Sequence, residues 1–400
     1  MASTSCNDNA ERLLGACLRG EAWPAELVRS LADDDCSDAL FRVVAEGLAD
    51  RFEPSLCDTY AALFAEAIAP AESRELVERY RRVRMPRPIA SRPRTVFVLS
   101  RVTLGADVAV TSVMLDAAKR RFPDAAIRLA GPRKNWELFA RDPRIGHVPV
   151  NYRRGTLRER LAAGGELRGA VAQPDSIVID PDSRLTQLGL VPVCAEEDYY
   201  FFESRGYGGD SDDSLPELAR RWCEETFGIP DAKPYVALDE TTEVSGGGAA
   251  VSLGVGENAA KRIGGAFEAE LLGLLAQTGA AVCIDSGGGG EEAARVEEAV
   301  AESGARVKVW KGSFAGFASI IACSRLYVGY DSAGQHVAAA CGVPLVTVFD
   351  GFCSPRFFAR WRPTGAGRIQ VIRVEDRDPR AVLRQVSDAV TAIGSIGAQR

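Results

Sequence analysis

The stretch RLYVGYDSAGQHVAAACGVPLVTVFDG, residues 325–351, decides the fold. Its apolar run 326–330 reads as a buried strand. The run breaks into the polar loop Asp331, Ser332, Ala333, Gly334. An alanine-rich helix follows, stopped by Gly342 with Pro344 just beyond. A second apolar strand, 345–349, completes a βαβ unit of a parallel sheet. The loop thus joins the carboxyl end of a strand to the amino end of a helix. Unpaired N–H groups and the positive end of the helix dipole gather there, which suits a phosphate. Ser332 adds a hydroxyl, and the small Ala333 and Gly334 let backbone come close to an anion. His336, one of only two histidines in the chain, stands in the first turn of the helix. Taken alone, the unit reads equally as a packed element without a ligand, and His336 is too isolated to argue a metal site or a triad.

The same alternation extends outward on both sides. Strands fit 95–99, 127–129, 147–150 and 176–179, with helices at 108–122 and 215–227. After Gly246, Gly247 and Gly248 it restarts: strand 249–253, helix 266–275, strand 280–284, helix 291–303, strand 307–310 and helix 314–322. Strands alternating with helices predict a doubly wound parallel sheet. Two such units imply a cleft between them where a ligand sits. The helix 380–396 is expected to return to the first sheet. Residues 205–215, RGYGGDSDDSL, read as a mobile loop. Residues 8–83 carry only helical signals, at 10–18, 24–31, 39–52, 57–69 and 71–84, and the Pro-rich 85–94 reads as a linker. This predicts a helical extension and linker over 1–90, an acceptor domain over 91–235, a donor domain over 236–385 and a helix end over 386–400. The extension either packs on the body of the protein or serves self-association.

Composition narrows the function classes. The net charge of −7 over 400 residues argues against a general nucleic-acid binder, which would be basic. No apolar run approaches the roughly 20 residues that span a bilayer. The first 25 residues lack a basic start followed by an apolar stretch, so no signal peptide is expected. Ten cysteines are scattered without a CxxC pair. This suits reduced, mostly buried thiols in a cytoplasmic protein, and no zinc cluster is expected.

Four further stretches can carry chemistry. The loop 100–112, SRVTLGADVAVTS, holds Thr103, Leu104 and Gly105, and its one acid is Asp107. That acid is either a helix N-cap or a general base facing the crevice. SLGVGENAAKR, 252–262, runs from Ser252 to the adjacent cations Lys261 and Arg262. These are either a solvated pair or neutralise a diphosphate leaving group. DSGGGGEEAAR, 285–295, offers Glu291 and Glu292 either to ribose hydroxyls or as first-turn helix acids. In 179–209, acids, arginines and aromatics interleave, among them Asp182, Ser183, Arg184, Tyr199 and Arg205. This is either a polyol-binding surface or aromatic core packing.

In this order the pieces resemble the ADP-heptose:lipopolysaccharide heptosyltransferases (glycosyltransferase family 9), over about 95–385. The strongest part is the ungapped run 311–349, similar to the family's D-[ST]-G-x-x-H and small-residue helix ending G-[VT]-P. The resemblance implies a GT-B fold, two Rossmann-like domains facing across a cleft. It implies an inverting, metal-independent transfer of a heptose from an ADP-activated donor to a hydroxyl, with no cofactor. Asp107 then matches the acid that deprotonates the acceptor, and Lys261 a lysine at the diphosphate. Glu292, or Glu291, matches a ribose contact. Gly312, Ser313 and Phe314 border the adenine, while Asp331, Ser332, Ala333 and His336 match the donor loop. Three positions depart from the pattern: Gly105-Ala106-Asp107 carries an extra residue, Ala333 replaces a glycine and Ile263 a tryptophan. The acceptor is either a lipopolysaccharide-core-like glycan or a soluble natural-product intermediate. Transfer from another nucleotide sugar and a non-catalytic nucleotide-binding scaffold are the alternatives.

Overall fold

The computed structural model describes residues 4–238, 248–256 and 258–395. Gly246, Gly247 and the end of the last helix beyond 395 lie outside the described residues. The chain forms two compact units. The first comprises residues up to 136, 142–233 and 353–361; the second comprises 137–141, 234–352 and 362 onward.

The first unit holds a five-stranded parallel sheet ordered β3-β2-β1-β4-β5. Its strands are β1 (Thr95–Leu99), β2 (Ala126–Gly131), β3 (Ile145–Pro149), β4 (Ser176–Asp180) and β5 (Tyr199–Phe201). β1 is apolar apart from Thr95 and is buried throughout, as a strand covered on both faces should be. The second unit holds a six-stranded parallel sheet ordered β11-β10-β9-β6-β7-β8. Its strands are β6 (Ala249–Ser252), β7 (Val282–Asp285), β8 (Val307–Trp310), β9 (Leu326–Tyr330), β10 (Leu345–Phe349) and β11 (Ile369–Arg373). The short β5 and the half-exposed edge strand β11 were not anticipated.

The helical region 4–83 is not a separate body. Leu13, Val44, Tyr60, Phe64 and Tyr80 share one apolar core with Phe97, Leu99, Val178 and Phe201 of the sheet. The expected boundary at residue 90 therefore cuts through a single core. The linker is docked too, with Ile89 buried and its N–H bonded to Thr226 O at 3.0 Å.

Three expectations are corrected. The last helix, Pro379–Ser395, does not return to the first sheet, because Val382, Val386 and Ile393 bury into the core of the second. The segment that joins the first unit is instead 353–361, which carries the short helix Pro355–Trp361. It also anchors the 205–215 loop expected to be mobile: Arg356 reaches Gly209 O, and Arg360 donates to Asp213 O at 2.6 Å. Finally, Cys6 and Cys36 form a disulfide within the helical region. The apolar packing of the helix Thr4–Leu18 brings the two cysteines together across 30 residues of sequence.

Candidate active site

Each sheet has one place where the strand order reverses. In the first, the chain builds β1, β2, β3 outward and then lays β4 against the other side of β1. In the second, β6, β7, β8 run one way and β9 returns beside β6. Adjacent loops part at such a switch point, and the crevice at the carboxyl ends of the strands is where open α/β sheets hold ligands.

At the β6/β9 crevice, Lys261 sits on a short turn whose start is capped by Asn258, Oδ1 accepting from Ala260 N–H at 3.0 Å. Lys261 Nζ lies 2.6 Å from Asp331 Oδ2 and 3.3 Å from Asp331 O. Asp331 Oδ1 accepts from Gln335 Nε2 at 2.5 Å, and Thr347 Oγ1 donates to Gln335 Oε1 at 2.9 Å. The cation is thus latched to the loop by a partner that is itself fixed. Arg262 does not join this latch; its carbonyl accepts from Arg377 at 2.7 Å.

Ser332 is the N-cap of the helix Ala333–Ala340, but its side chain makes no cap bond. Its Oγ lies 3.4 Å from Tyr327 OH. A Cβ on Gly334 would meet that phenol oxygen at 2.3 Å, and one on Gly329 would meet Ser252 O at 2.6 Å. Strand, phenol and loop are therefore closed to within backbone distance, and only glycine fits at 329 and 334. Ala333 begins the helix and is absent from the left-handed residues, so its Cβ costs nothing there. His336 is buried, and burial pulls its pKa down to about 4 against the opposing charge of Asp331. The ring is neutral at pH 7.

The remaining residues of this crevice hold the flanking loops. Both Glu291 and Glu292 fall in the first turn of the helix Gly290–Ser303. Glu292 folds back on its own loop, Oε2 accepting from Gly288 N–H at 3.0 Å, and it presses on Gly254 and Gly287. Asp285, at the end of β7, is pushed up to about 6 by burial, with the charge of Glu292 adding to it. Gly312 and Gly316 lie against the ring of Trp310, whose Nε1–H donates to Ser313 O at 3.1 Å. Ser313 caps the helix Phe314–Ala322. Sequence reasoning missed Trp310, Tyr327 and Gln335. The one signal available was the spacing of Asp331, just before the N-cap, and Gln335 in the first turn, which lets the amide reach back to the carboxylate.

The β1/β4 crevice is built from acids. Asp107 is 0% exposed. Its Oδ1 accepts from Arg101 N–H (2.7 Å) and Thr111 Oγ1 (2.6 Å), and its Oδ2 from Ser100 Oγ (2.5 Å) and Asn135 Nδ2 (2.6 Å). Burial raises its pKa, and these four donors oppose the rise. It is not the N-cap, since Thr103 holds that place. Asp107 opens a π-helical turn over Asp107–Thr111, next to the Gly105-Ala106-Asp107 departure noted in the sequence.

Across the crevice, Asp180 at the end of β4 accepts from Ser183 N–H (2.6 Å), Thr186 Oγ1 (2.5 Å) and Tyr199 OH (2.5 Å). Burial pushes it up to about 6. Ser183 Oγ donates to Ser100 O at 2.5 Å and ties the two loops together. Arg184 opens the turn that Ser183 caps. Thr103, Leu104 and Gly105 are half-buried on the β1 side. Val102 (φ 71°) and Asp182 (φ 70°) both adopt left-handed backbone, one on each loop. For a non-glycine residue this costs on the order of 1–2 kcal/mol, and such strain concentrates at functional sites.

Tyr199 and Arg205 do not form an open polyol surface. The guanidinium of Arg79 lies 4.7 Å over the Tyr199 ring. Arg205 is buried against Tyr60 and Tyr80 of the helical region and paired with Asp182 (3.3 Å) and Glu203 (2.7 Å). Core packing accounts for both residues. Among the described residues no group of acids, histidines and cysteines could hold a metal ion. No described helix is long and apolar enough to cross a membrane.

Residues 256–381 match the sequence model of glycosyltransferase family 9 (heptosyltransferase). The fold is similar to that of E. coli heptosyltransferase WaaC with ADP, at 18% identity and a TM-score of 0.55, covering 74% of this chain and 99% of that one. It is also similar to the glycosyl transferase family 9 protein of Veillonella parvula, at 15% identity and a TM-score of 0.54, covering 77% and 98%. E. coli ADP-heptose lps heptosyltransferase II gives 18% and 0.53, covering 74% and 99%. No curated protein matches.

Proposed function

We propose, from the premise that this chain is a GT-B glycosyltransferase whose second unit carries a family 9 (heptosyltransferase) domain, that it moves a heptose or related sugar from an ADP-activated donor to an acceptor hydroxyl. The observation that carries the donor side is the latch of Lys261 on Asp331, at the β6/β9 switch point and beside the amino end of the helix Ala333–Ala340. A leaving diphosphate gathers negative charge as the sugar departs. Lys261, the backbone N–H groups after Ser332 and the helix dipole supply fixed positive potential for it. In this reading neither a metal nor a cofactor is used, and the transfer inverts the anomeric centre. An acceptor hydroxyl attached to a sugar or polyol attacks as a carboxylate of the first unit takes its proton.

Asp107 is the carboxylate to which the resemblance gives that proton, and four protein donors meanwhile tie it to the β1 loop. Cytoplasmic action is part of the proposal, and reducing surroundings there would leave Cys6 and Cys36 as thiols.

Calorimetric titration with ADP, UDP and GDP, followed by turnover of ADP-heptose against a panel of glycan, nucleoside and aminoglycoside acceptors, tests the reading. Adenosine preference and metal-independent ADP release are expected. Preference for uridine or guanosine sinks the ADP-sugar assignment. Binding with no release across the panel points to a nucleotide-binding scaffold.

A further inference from the structure

We propose that Gln335 is a positioning residue for the diphosphate of the donor, acting through Asp331 on Lys261, an inference that rests on the ADP-donor reading above. Every residue involved belongs to the second unit. β10 reads LVTVF, and Thr347 is its one polar residue. Thr347 is fully buried, and so is Gln335 in the first turn of the helix Ala333–Ala340. Buried polar side chains call for partners, and these two find each other. Register sets Thr347 beside Gly329, two residues before Asp331. Gln335 itself, at 0% exposure, touches no ligand.

The amide of Gln335 is fixed at both ends. Its Oε1 accepts from Thr347 Oγ1 at 2.9 Å, which turns Nε2 to Asp331 Oδ1 at 2.5 Å and to His336 Nε2 at 3.4 Å. The neutral His336 ring can accept there. Asp331 is buried, so each of its oxygens calls for a donor. Gln335 gives one to Oδ1, while Lys261 Nζ meets Oδ2 and the Asp331 carbonyl. The carboxylate is thus divided between an amide and a cation. Without the amide, the nearest strong donor for Oδ1 is the same ammonium. Asp331 would then turn both oxygens to Lys261 and draw it away from the amino end of the helix. Lys261 keeps 14% of its side chain exposed, against 6% for Asp331, and so remains within reach of a ligand. An ammonium aimed at the β-phosphate favours ADP over AMP, which lacks that group.

The test titrates the full chain with ADP and with AMP by calorimetry. Gln335→Met, of similar volume but without the amide, should weaken ADP binding about tenfold and leave AMP within about twofold. Thr347→Val frees the amide to turn over and should weaken ADP about threefold, while Thr347→Ser, which keeps the hydroxyl, should stay within about twofold. Added to Lys261→Ala, Gln335→Met should change ADP affinity by less than about twofold, because it acts through the lysine. ADP affinity within about twofold of wild type in Gln335→Met overturns the assignment. So does an equal loss of ADP and AMP in both Gln335→Met and Thr347→Val, or a loss that persists in Lys261→Ala, either of which would mark a purely structural role. A wild-type protein that binds neither nucleotide overturns the ADP-donor reading itself.

Discussion

The two crevices solve the same topological problem with different materials. The second unit offers small residues, backbone and one lysine, with Asp331 serving to aim the lysine. The first offers three acids, and hydrogen bonds bury the charge of two of them. A site for an anion can be made of backbone, because N–H groups need only space and a helix start. Where acids fill the crevice instead, each buried oxygen calls for a donor, and Asp107 and Asp180 tie neighbouring loops together.

The comparison can be broken in several ways. The largest effect is expected from Lys261→Ala. It should lower turnover by about 10²–10³ and weaken ADP binding in titration calorimetry. Unchanged affinity would remove the lysine from the anion site. Next, Asp107→Asn turns an acceptor into an amide whose hydrogens face two of the four donors. It should lower the unfolding free energy by about 3 kcal/mol, measured by urea melts. Loss of turnover at full stability would place Asp107 in the chemistry rather than in the fold.

The acidity of the crevices gives a third test. His336, pulled from 6.5 to about 4, is held neutral in the fold. Below pH 6.5 the unfolded chain binds a proton that the folded chain refuses. Its contribution is therefore present above pH 6.5 and is lost as pH falls towards 4, by at most about 3 kcal/mol. Asp180, raised from 3.8 to about 6, acts in the opposite sense in the first unit, which loses stability as pH rises through that window. Urea melts of wild type against His336→Gln between pH 4 and 7 isolate the histidine. A difference that does not change with pH would refute its burial as a neutral ring.

The smallest contrast is between two neighbours. Gly334→Ala drives a methyl into the Tyr327 hydroxyl and should cost about 1–3 kcal/mol. Ala333→Gly should cost about 1 kcal/mol or less, as a propensity loss in a helix start. Equal costs would mean the loop is looser than described.

What the sequence made legible follows the same division. Residues 311–349 could be read because strand, loop and helix are contiguous and each signal is local. Ala333 looked like a departure from the family pattern, and its helical backbone explains why it is tolerated. The acceptor side was harder to read. The role of Asp107 depends on Asn135, 28 residues away, and on a π-turn that no periodicity announces. For Tyr199 and Arg205 a surface and core packing both stayed open, because nothing local marks the helical region, with Tyr60 and Tyr80 against Arg205, as their surroundings. Asp182 was named among the acceptor residues, but its burial against Arg205 and Ser204 is revealed only in three dimensions.

The segment 353–361 has a consequence for modularity. The chain passes between the units at 136/137, 141/142, 233/234, 352/353 and 361/362. No single cut separates them. A fragment ending at Lys233 would keep the whole first sheet yet lose Arg356, which binds Phe52 O at 2.8 Å, and Arg360, which binds Asp213 O. Its counterpart would carry a helix with exposed Phe357 and Trp361, which in the intact chain pack on Phe52. The two units cannot therefore be exchanged with those of a relative as two contiguous blocks. A working chimera needs this nine-residue insert to travel with the half it serves rather than the half it is threaded through.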